Sequence, residues 1–225
     1  MENTAADGLD KFITELNSNL KELTDMAQVL GQDCTNQYQS IQSNDSQMYR
    51  RAYVRSVFAF IEGLLYRMKR TAAHLGWPLG NLTIAEMMLL DERAFDIDEK
   101  GEVVDRPLFI KFLNNVKFSF KIYSKSVGSS FELSLGGNGW QKLREAVKVR
   151  DRLMHPKVIT DLDVTDAEVE ATKTAFEWFF ISYGLCGHYA QKATHTKISP
   201  PSQEKFDALD ATIQKLESEL KNRGN

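Results

Sequence analysis

Residues 48–74 read MYRRAYVRSVFAFIEGLLYRMKRTAAH, and this stretch decides the fold class. Its apolar residues recur at alternating steps of four and three, which is the spacing of one face of an α-helix. They are Val54, Phe58, Ile61, Leu65, Met68 and Ala72. Gly76 and Pro78 follow and predict the end of the helix. The stretch therefore predicts a long helix with a buried apolar stripe.

The other face of this helix is basic. It carries Arg50, Arg51, Arg55, Arg67, Lys69 and Arg70. A solvated charged face is the more common explanation of such a pattern, and a surface that binds RNA or a second copy is the alternative.

Amphipathic helices are also predicted before and after this stretch. Apolar residues from Leu9 to Leu30 form a narrow stripe that ends at Gly31, and the polar residues Gln32 to Gln47 predict a linker. A coiled-coil spacing between Phe206 and Leu220 predicts a final helix. The first and last helices are expected to pair, with each other or across a dimer.

Between these ends, the sequence predicts further helices and one irregular stretch. A short helix is expected over Ile84–Leu90, and a small hairpin or an irregular loop over Phe95–Val104. Asp105 and Pro107 predict the cap and start of a core helix that ends at Gly128.

Two signals frame the next pair of helices. Gly136 to Gly139 is interpreted as a turn before a helix at Trp140, because a phosphate-binding loop requires a preceding strand and a Lys-Ser/Thr ending. Thr165 and Glu168 form a predicted capping box, with a hydrophobic staple of Val164 and Val169, and a long helix should follow.

The fold class is therefore an all-α helical bundle. Expected segments are an N-terminal helix and linker (1–44), a helical domain (45–195) and a C-terminal helix (196–225).

Composition narrows the function classes. The formal net charge of −3 over 225 residues gives no global electrostatic case for non-specific nucleic-acid binding. Cys34 and Cys186 lack the spacing of a zinc site and are expected to be free thiols. The first residues lack a signal-peptide pattern, and no apolar run approaches the roughly 20 residues that span a bilayer. We expect a cytoplasmic protein without membrane, metal or cofactor.

One helix carries the sharpest chemical signal. From Trp140, a stripe of Leu143, Val147 and Met154 contains Arg150 at a position where the pattern calls for an apolar residue. A charge at such a position needs a partner or a cleft. Glu62, beside the apolar stripe of residues 48–74, is the candidate partner in a buried ion pair, and a solvent-facing boundary residue is the equal alternative.

His155 lies five residues after Arg150, so the two side chains diverge on a regular helix. Pro156 favours a helix end at His155, which would let the imidazole approach the arginine. The helix dipole there favours the charged imidazolium, although a histidine beside proline is more often a cap or a core residue. Basic residues outnumber Glu145 and Asp151 nearby and predict a local patch for phosphates, or a solvated surface. They are Lys142, Arg144, Lys148, Arg152 and Lys157.

The run Arg150-Asp151-Arg152-Leu153-Met154-His155 resembles the signature of the HEPN superfamily, an arginine and a polar residue followed by a histidine. Pro156-Lys157, the helix start Gly139-Trp140, and Tyr53–Met68 with Glu62 also resemble bacterial members. The resemblance covers roughly Met48 to His188. Lys157 stands where some members carry a modifiable tyrosine, so that route of regulation is not predicted.

The resemblance implies a homodimer in which two motifs face one cleft and cut RNA without metal, in a toxin–antitoxin or phage-defence role. His155 would be the general acid or base, Arg150 would bind the scissile phosphate, and Asp151 would orient the pair. Glu62 and Arg152 would support them, and Arg144, Lys148 and Lys157 would contact RNA. An antitoxin or regulator is a possible partner. The alternative is a non-catalytic helical module for binding or assembly.

Overall fold

The computed structural model describes residues 3–76, 78 and 80–198, and its helical bundle confirms the predicted all-α class. The helices in this part of the chain are α1 (Asn3–Ser43), α2 (Gln47–Gly76), α3 (Ile84–Leu90), α4 (Phe112–Val127), α5 (Asn138–Met154) and α6 (Asp166–Ile198). Strands β1 (Arg93–Ile97) and β2 (Val103–Pro107) form an antiparallel hairpin, and a short 3-10 helix spans Ile159–Leu162. The predicted helix over Phe206–Leu220 lies outside the described residues.

Helix α2 is at the centre of the bundle, because it packs against α1, α4, α5 and α6. All six predicted stripe residues are buried, which confirms that pattern. Tyr53, Val57, Phe60 and Leu64 are buried as well, so α2 is covered over more of its circumference than one stripe. The Phe60 ring contacts Phe176 of α6 edge-on, with 5.1 Å between ring centroids.

The basic residues of α2 hold neighbouring elements, so the prediction of a solvated charged face is wrong for most of them. Arg67 binds Glu22 and Asn19 of α1. Lys69 is almost fully buried and forms an ion pair with Glu92, just before β1. The remaining contacts join Arg50 to Asp45 and Asp166, Arg51 to the Leu162 carbonyl, and Arg70 to Asp91.

Helices α2 and α6 start at the same end of the bundle. The Gln47 side chain donates to the Val164 carbonyl at 3.1 Å and accepts from the Val164 N–H at 2.7 Å. Beside it, the Thr165 hydroxyl accepts the N–H of Glu168, and the Glu168 carboxylate accepts the N–H of Thr165. These two bonds confirm the capping box. The predicted staple residues Val164 and Val169 are both buried.

The predicted linker from Gln32 to Gln47 is wrong, since α1 continues without interruption to Ser43. Cys34 and Ile41 extend the buried stripe, and the Tyr38 ring packs on Tyr53 at 5.3 Å. Polar side chains of this segment form hydrogen bonds along the helix, as in the bond that the Gln32 amide donates to the Asn36 side chain at 2.8 Å. Residues on both sides of position 44 therefore share one hydrophobic core.

The predicted helix start at Asp105 and Pro107 is also wrong, because both residues lie in β2 and α4 begins at Phe112. The Asp105 carboxylate pairs across the hairpin with Arg93, whose Nε donates to it at 3.0 Å. Pro107 lacks an N–H but is compatible with this position, because it lies at the end of an edge strand. The hairpin alternative, the α3 helix and the end of α4 at the left-handed Gly128 are confirmed.

Two further predictions have structural outcomes. Cys34 and Cys186 are free and buried, and burial raises the pKa of each thiol to about 12. Within the described ranges, no helix combines the length and apolar character that a bilayer crossing requires.

Gly139 and Gly136 provide a matched test of the packing of α5 on α6. A Cβ at Gly139 would overlap the Trp178 side chain, whereas one at Gly136 would meet no atom within 4 Å in the part of the chain that the structure describes. We expect Gly139→Ala to lower the free energy of unfolding by about 1–3 kcal/mol through overpacking. Denaturant titration should give a near wild-type value for Gly136→Ala, and equal values for both variants would contradict the tight packing.

Candidate functional site

The buried face of α5 is centred one residue before the predicted stripe. Trp140 and Leu143 are buried as expected, but Val147 is only half-buried and Met154 is exposed. The remaining buried positions are Ala146, Val149 and Leu153. Contact with α6, including the Trp140–Trp178 pair at 5.6 Å, fixes this orientation. Arg150 consequently lies at the edge of the apolar face, and its predicted place within that face is wrong.

Arg150 is held at this edge by both charge and aromatic contact. Its guanidinium forms ion pairs with Glu62 of α2 and with Asp151, the latter at 3.0 Å. It also lies 5.7 Å from the ring centroids of Phe58 and Phe112. The predicted pairing with Glu62 is confirmed, but the pair is not buried, because 45% of the Glu62 side chain and 28% of the Arg150 side chain are exposed.

The two rings beneath Arg150 were not predicted as part of the site. Phe58 and Phe112 appear in the sequence as core residues, and nothing in their spacing relates them to Arg150. A guanidinium over aromatic faces gains a cation–π attraction of about 0.5–1 kcal/mol at a partly exposed position. The rings and Glu62 together restrict the orientation of the Arg150 head group.

His155 terminates α5, as Pro156 predicts. The helix ends at Met154, and His155 adopts φ −133° and ψ 57°, outside the helical region. Its N–H donates to the Asp151 carbonyl at 3.1 Å, and the residue is exposed. Arg150 and His155 are thus about 7–8 Å apart along the helix axis, at the same exposed end of α5.

Asp161 stabilises the turn that follows His155, a role that the sequence analysis missed. Its carboxylate accepts the N–H groups of Lys157 at 2.8 Å and Val158 at 3.1 Å. These two bonds lower the pKa of Asp161 below its ordinary value. Because the folded pKa is depressed, this contribution to stability is complete above the unfolded pKa and disappears as the pH falls through the folded pKa.

The predicted basic patch is smaller than the sequence indicates. The Arg152 guanidinium binds the Glu168 carboxylate at 3.0 Å and the Asp163 carbonyl at 2.8 Å, so it serves the α5–α6 contact. Lys142 pairs with Glu145 at 2.7 Å. The exposed cations that remain are Arg144, Lys148 and Lys157.

Metal ligation has no candidate donor set in the part of the chain that the structure describes. No group of three or more His, Cys, Asp or Glu side chains is placed there to hold an ion. His74 instead stacks on Phe12, with 4.8 Å between the ring centroids.

Comparison with known proteins adds no relative. Searches of protein-family models, curated proteins and solved structures each return no match to this chain. The resemblance to the HEPN superfamily therefore stays a hypothesis that rests on the motif and its setting.

Arg152 and Arg144 lie on the same helix and separate a structural role from a surface role. Arg152→Ala removes a charge-assisted bond to Glu168 that also supports the start of α6, and should lower the free energy of unfolding by about 1–2 kcal/mol. Arg144→Ala, which removes an exposed side chain, should change it by less than about 0.5 kcal/mol. Thermal or urea unfolding measures both, and equal losses would contradict the assignment.

Proposed function

We propose that this protein is a metal-independent endoribonuclease of the HEPN type, acting in the cytoplasm. The carrying observation is that Arg150, oriented by Glu62 and two aromatic rings, shares the exposed end of α5 with His155. A fixed guanidinium can stabilise the charge on a phosphate and an exposed imidazole can transfer protons, and these two functions suit phosphodiester cleavage without metal.

In the proposed reaction, the ribose 2′-oxygen attacks the adjacent phosphorus and the 5′-oxygen leaves. His155 accepts the 2′-hydroxyl proton or donates a proton to the 5′-oxygen, and water carries out the other transfer, so that one proton is lost by the 2′-oxygen and one is gained by the 5′-oxygen. Arg150 binds the non-bridging oxygens and stabilises the charge that grows on them. The products are a 2′,3′-cyclic phosphate and a 5′-hydroxyl.

The surroundings of Arg150 are compatible with a phosphate ligand. A guanidinium has five N–H donors, so phosphate oxygens can bind beside the carboxylates of Glu62 and Asp151. We assign the contacts along the RNA backbone to Arg144, Lys148 and Lys157, which are exposed on α5 and the following turn.

The proposal includes a homodimer that brings two motifs to one cleft. Three apolar residues at this end of α5 support it, since Met154, Val158 and Ile159 are 53%, 58% and 79% exposed. Exposed apolar clusters often mark protein interfaces. A toxin or phage-defence role, with an antitoxin or regulator as partner, is part of the same proposal.

Cleavage of labelled RNA in EDTA tests the reaction. Wild type should leave 2′,3′-cyclic phosphate ends, and His155→Ala should reduce the rate by roughly 10²–10⁴-fold. Arg150→Ala should reduce it by roughly 10²–10³-fold. Thr160→Ala, an exposed polar change in the next turn, should cut at the wild-type rate.

The dimer has its own test in solution. Met154→Asp combined with Ile159→Asp should shift the mass measured by light scattering from dimer to monomer and reduce cleavage. If wild type is folded and dimeric yet leaves RNA intact, the ribonuclease proposal fails. A monomeric wild type that cuts RNA would reject only the dimer.

A non-catalytic binding or assembly module is the second candidate. The two carboxylates around Arg150, those of Glu62 and Asp151, favour it. They already neutralise the positive charge of the guanidinium to which a phosphate would bind. In that case, removal of the segment after Ser199 should abolish partner binding, while His155→Ala should leave it unchanged.

A further inference from the structure

An apolar groove separates the first half of α1 from the second half of α6. It encloses about 290 Å³ and is lined by Leu20 and Leu23 of α1, Met68 of α2, Tyr123 of α4, and Tyr183 and Cys186 of α6. Burial raises the pKa of Tyr183 to about 12, in keeping with an apolar wall. The groove is on the surface and lies apart from the His155 end of α5.

Two glycines of α6 face open space in this groove. A Cβ built at Gly184 or at Gly187 meets no atom of the described residues within 4 Å, and both residues line the groove. Glycine inside a helix costs stability relative to alanine, and no contact among the described residues requires it here. Small residues on a helix do allow a second helix to approach closely.

The wall formed by α1 extends the apolar surface beyond the groove. Ile13 and Leu20 are 44% and 38% exposed, and Leu16 is half-buried. These residues belong to the narrow stripe that continues into the buried Leu23. Within the described residues, the α1 stripe is buried at Leu23 and becomes partly exposed from Leu20 towards Ile13, beside the groove.

We propose that the chain's own segment from Ser202 to Leu220 docks as a helix in this groove, antiparallel to the end of α6. Its apolar residues Phe206, Leu209, Ile213, Leu216 and Leu220 have coiled-coil spacing and match the narrow stripe of α1. Ser199 follows the end of α6, and Pro200 and Pro201 come next and provide the reversal.

The length of chain fits this placement. Gly187 lies eleven residues before Ile198, the end of α6, and Ile213 lies eleven residues after Ser202. Since both helices rise by about 1.5 Å per residue, Ile213 returns level with Gly187 and Leu216 level with Gly184. Two branched aliphatic side chains of the segment thus meet the two open glycines.

The same connection favours the chain's own segment over that of a second copy. A tether of a few residues gives the segment an effective concentration on the order of millimolar at the groove. The inference is independent of the ribonuclease proposal, because the groove contains none of the candidate catalytic residues.

Hydrogen exchange of the full-length protein tests the docking. Ile213→Asp with Leu216→Asp should accelerate exchange in residues 13–24 of α1 by roughly tenfold or more. Gln214→Asp with Ser218→Asp adds the same charge on the opposite face of the predicted helix and should leave that exchange unchanged. Wild-type protection should not depend on protein concentration.

Gly187→Leu probes the groove from the other side. Its side chain would occupy the open space and should accelerate exchange in residues 206–220, whereas Gly187→Ala should leave the groove available and the exchange near wild type. Protection that falls on dilution would overturn the proposal in favour of a second copy. Two results would overturn it outright: equal exchange of residues 13–24 in the two double-aspartate variants, or no effect of Gly187→Leu on the exchange of residues 206–220.

Discussion

The burial of α2 against α1, α4, α5 and α6 is the constraint on which the structure depends. Its apolar residues supply the middle of the core, and its charged residues set the positions of the elements around it. Lys69 illustrates the second role, because a nearly buried ammonium needs a partner and Glu92 supplies one at the start of the hairpin. Glu62 extends the same logic to the candidate site, where it orients Arg150.

Helix class and most helix ends could be predicted because they depend on local rules. The periodicity of α2, the capping box of α6 and the stop at Gly128 are each encoded within a few neighbouring residues. The predictions were wrong where a contact with a residue distant in sequence determines the local structure. Residues 32–43 have polar composition, yet Cys34, Tyr38 and Ile41 pack on the core. Asp105 has the chemistry of a helix cap, but its partner Arg93 makes it part of a strand.

The motif on α5 combines residues with different tasks, and spacing alone could not separate them. Arg150 and Arg152 are two positions apart, but one faces the edge shared with α2 and the other the start of α6. The sequence left two equal interpretations of Glu62, a partner of Arg150 or a solvent-facing residue, and the structure contains the pair at a partly exposed position at the edge of the apolar face. It missed the Phe58 and Phe112 rings, since an aromatic residue that packs in a core looks the same as one that supports a guanidinium.

The bonds between Gln47 and Val164 have a consequence for how the chain folds. They join residues 117 positions apart, while α1 with α2 and α5 with α6 are neighbours along the chain. We expect the two neighbouring pairs to form early and the closure between them to limit the folding rate, because distant contacts cost more chain entropy. That cost grows only with the logarithm of loop length. The exposed tip of the hairpin around Lys100 lies within the chain segment that the Gln47–Val164 bonds close. It should therefore accept inserted residues with little effect on folding speed or stability.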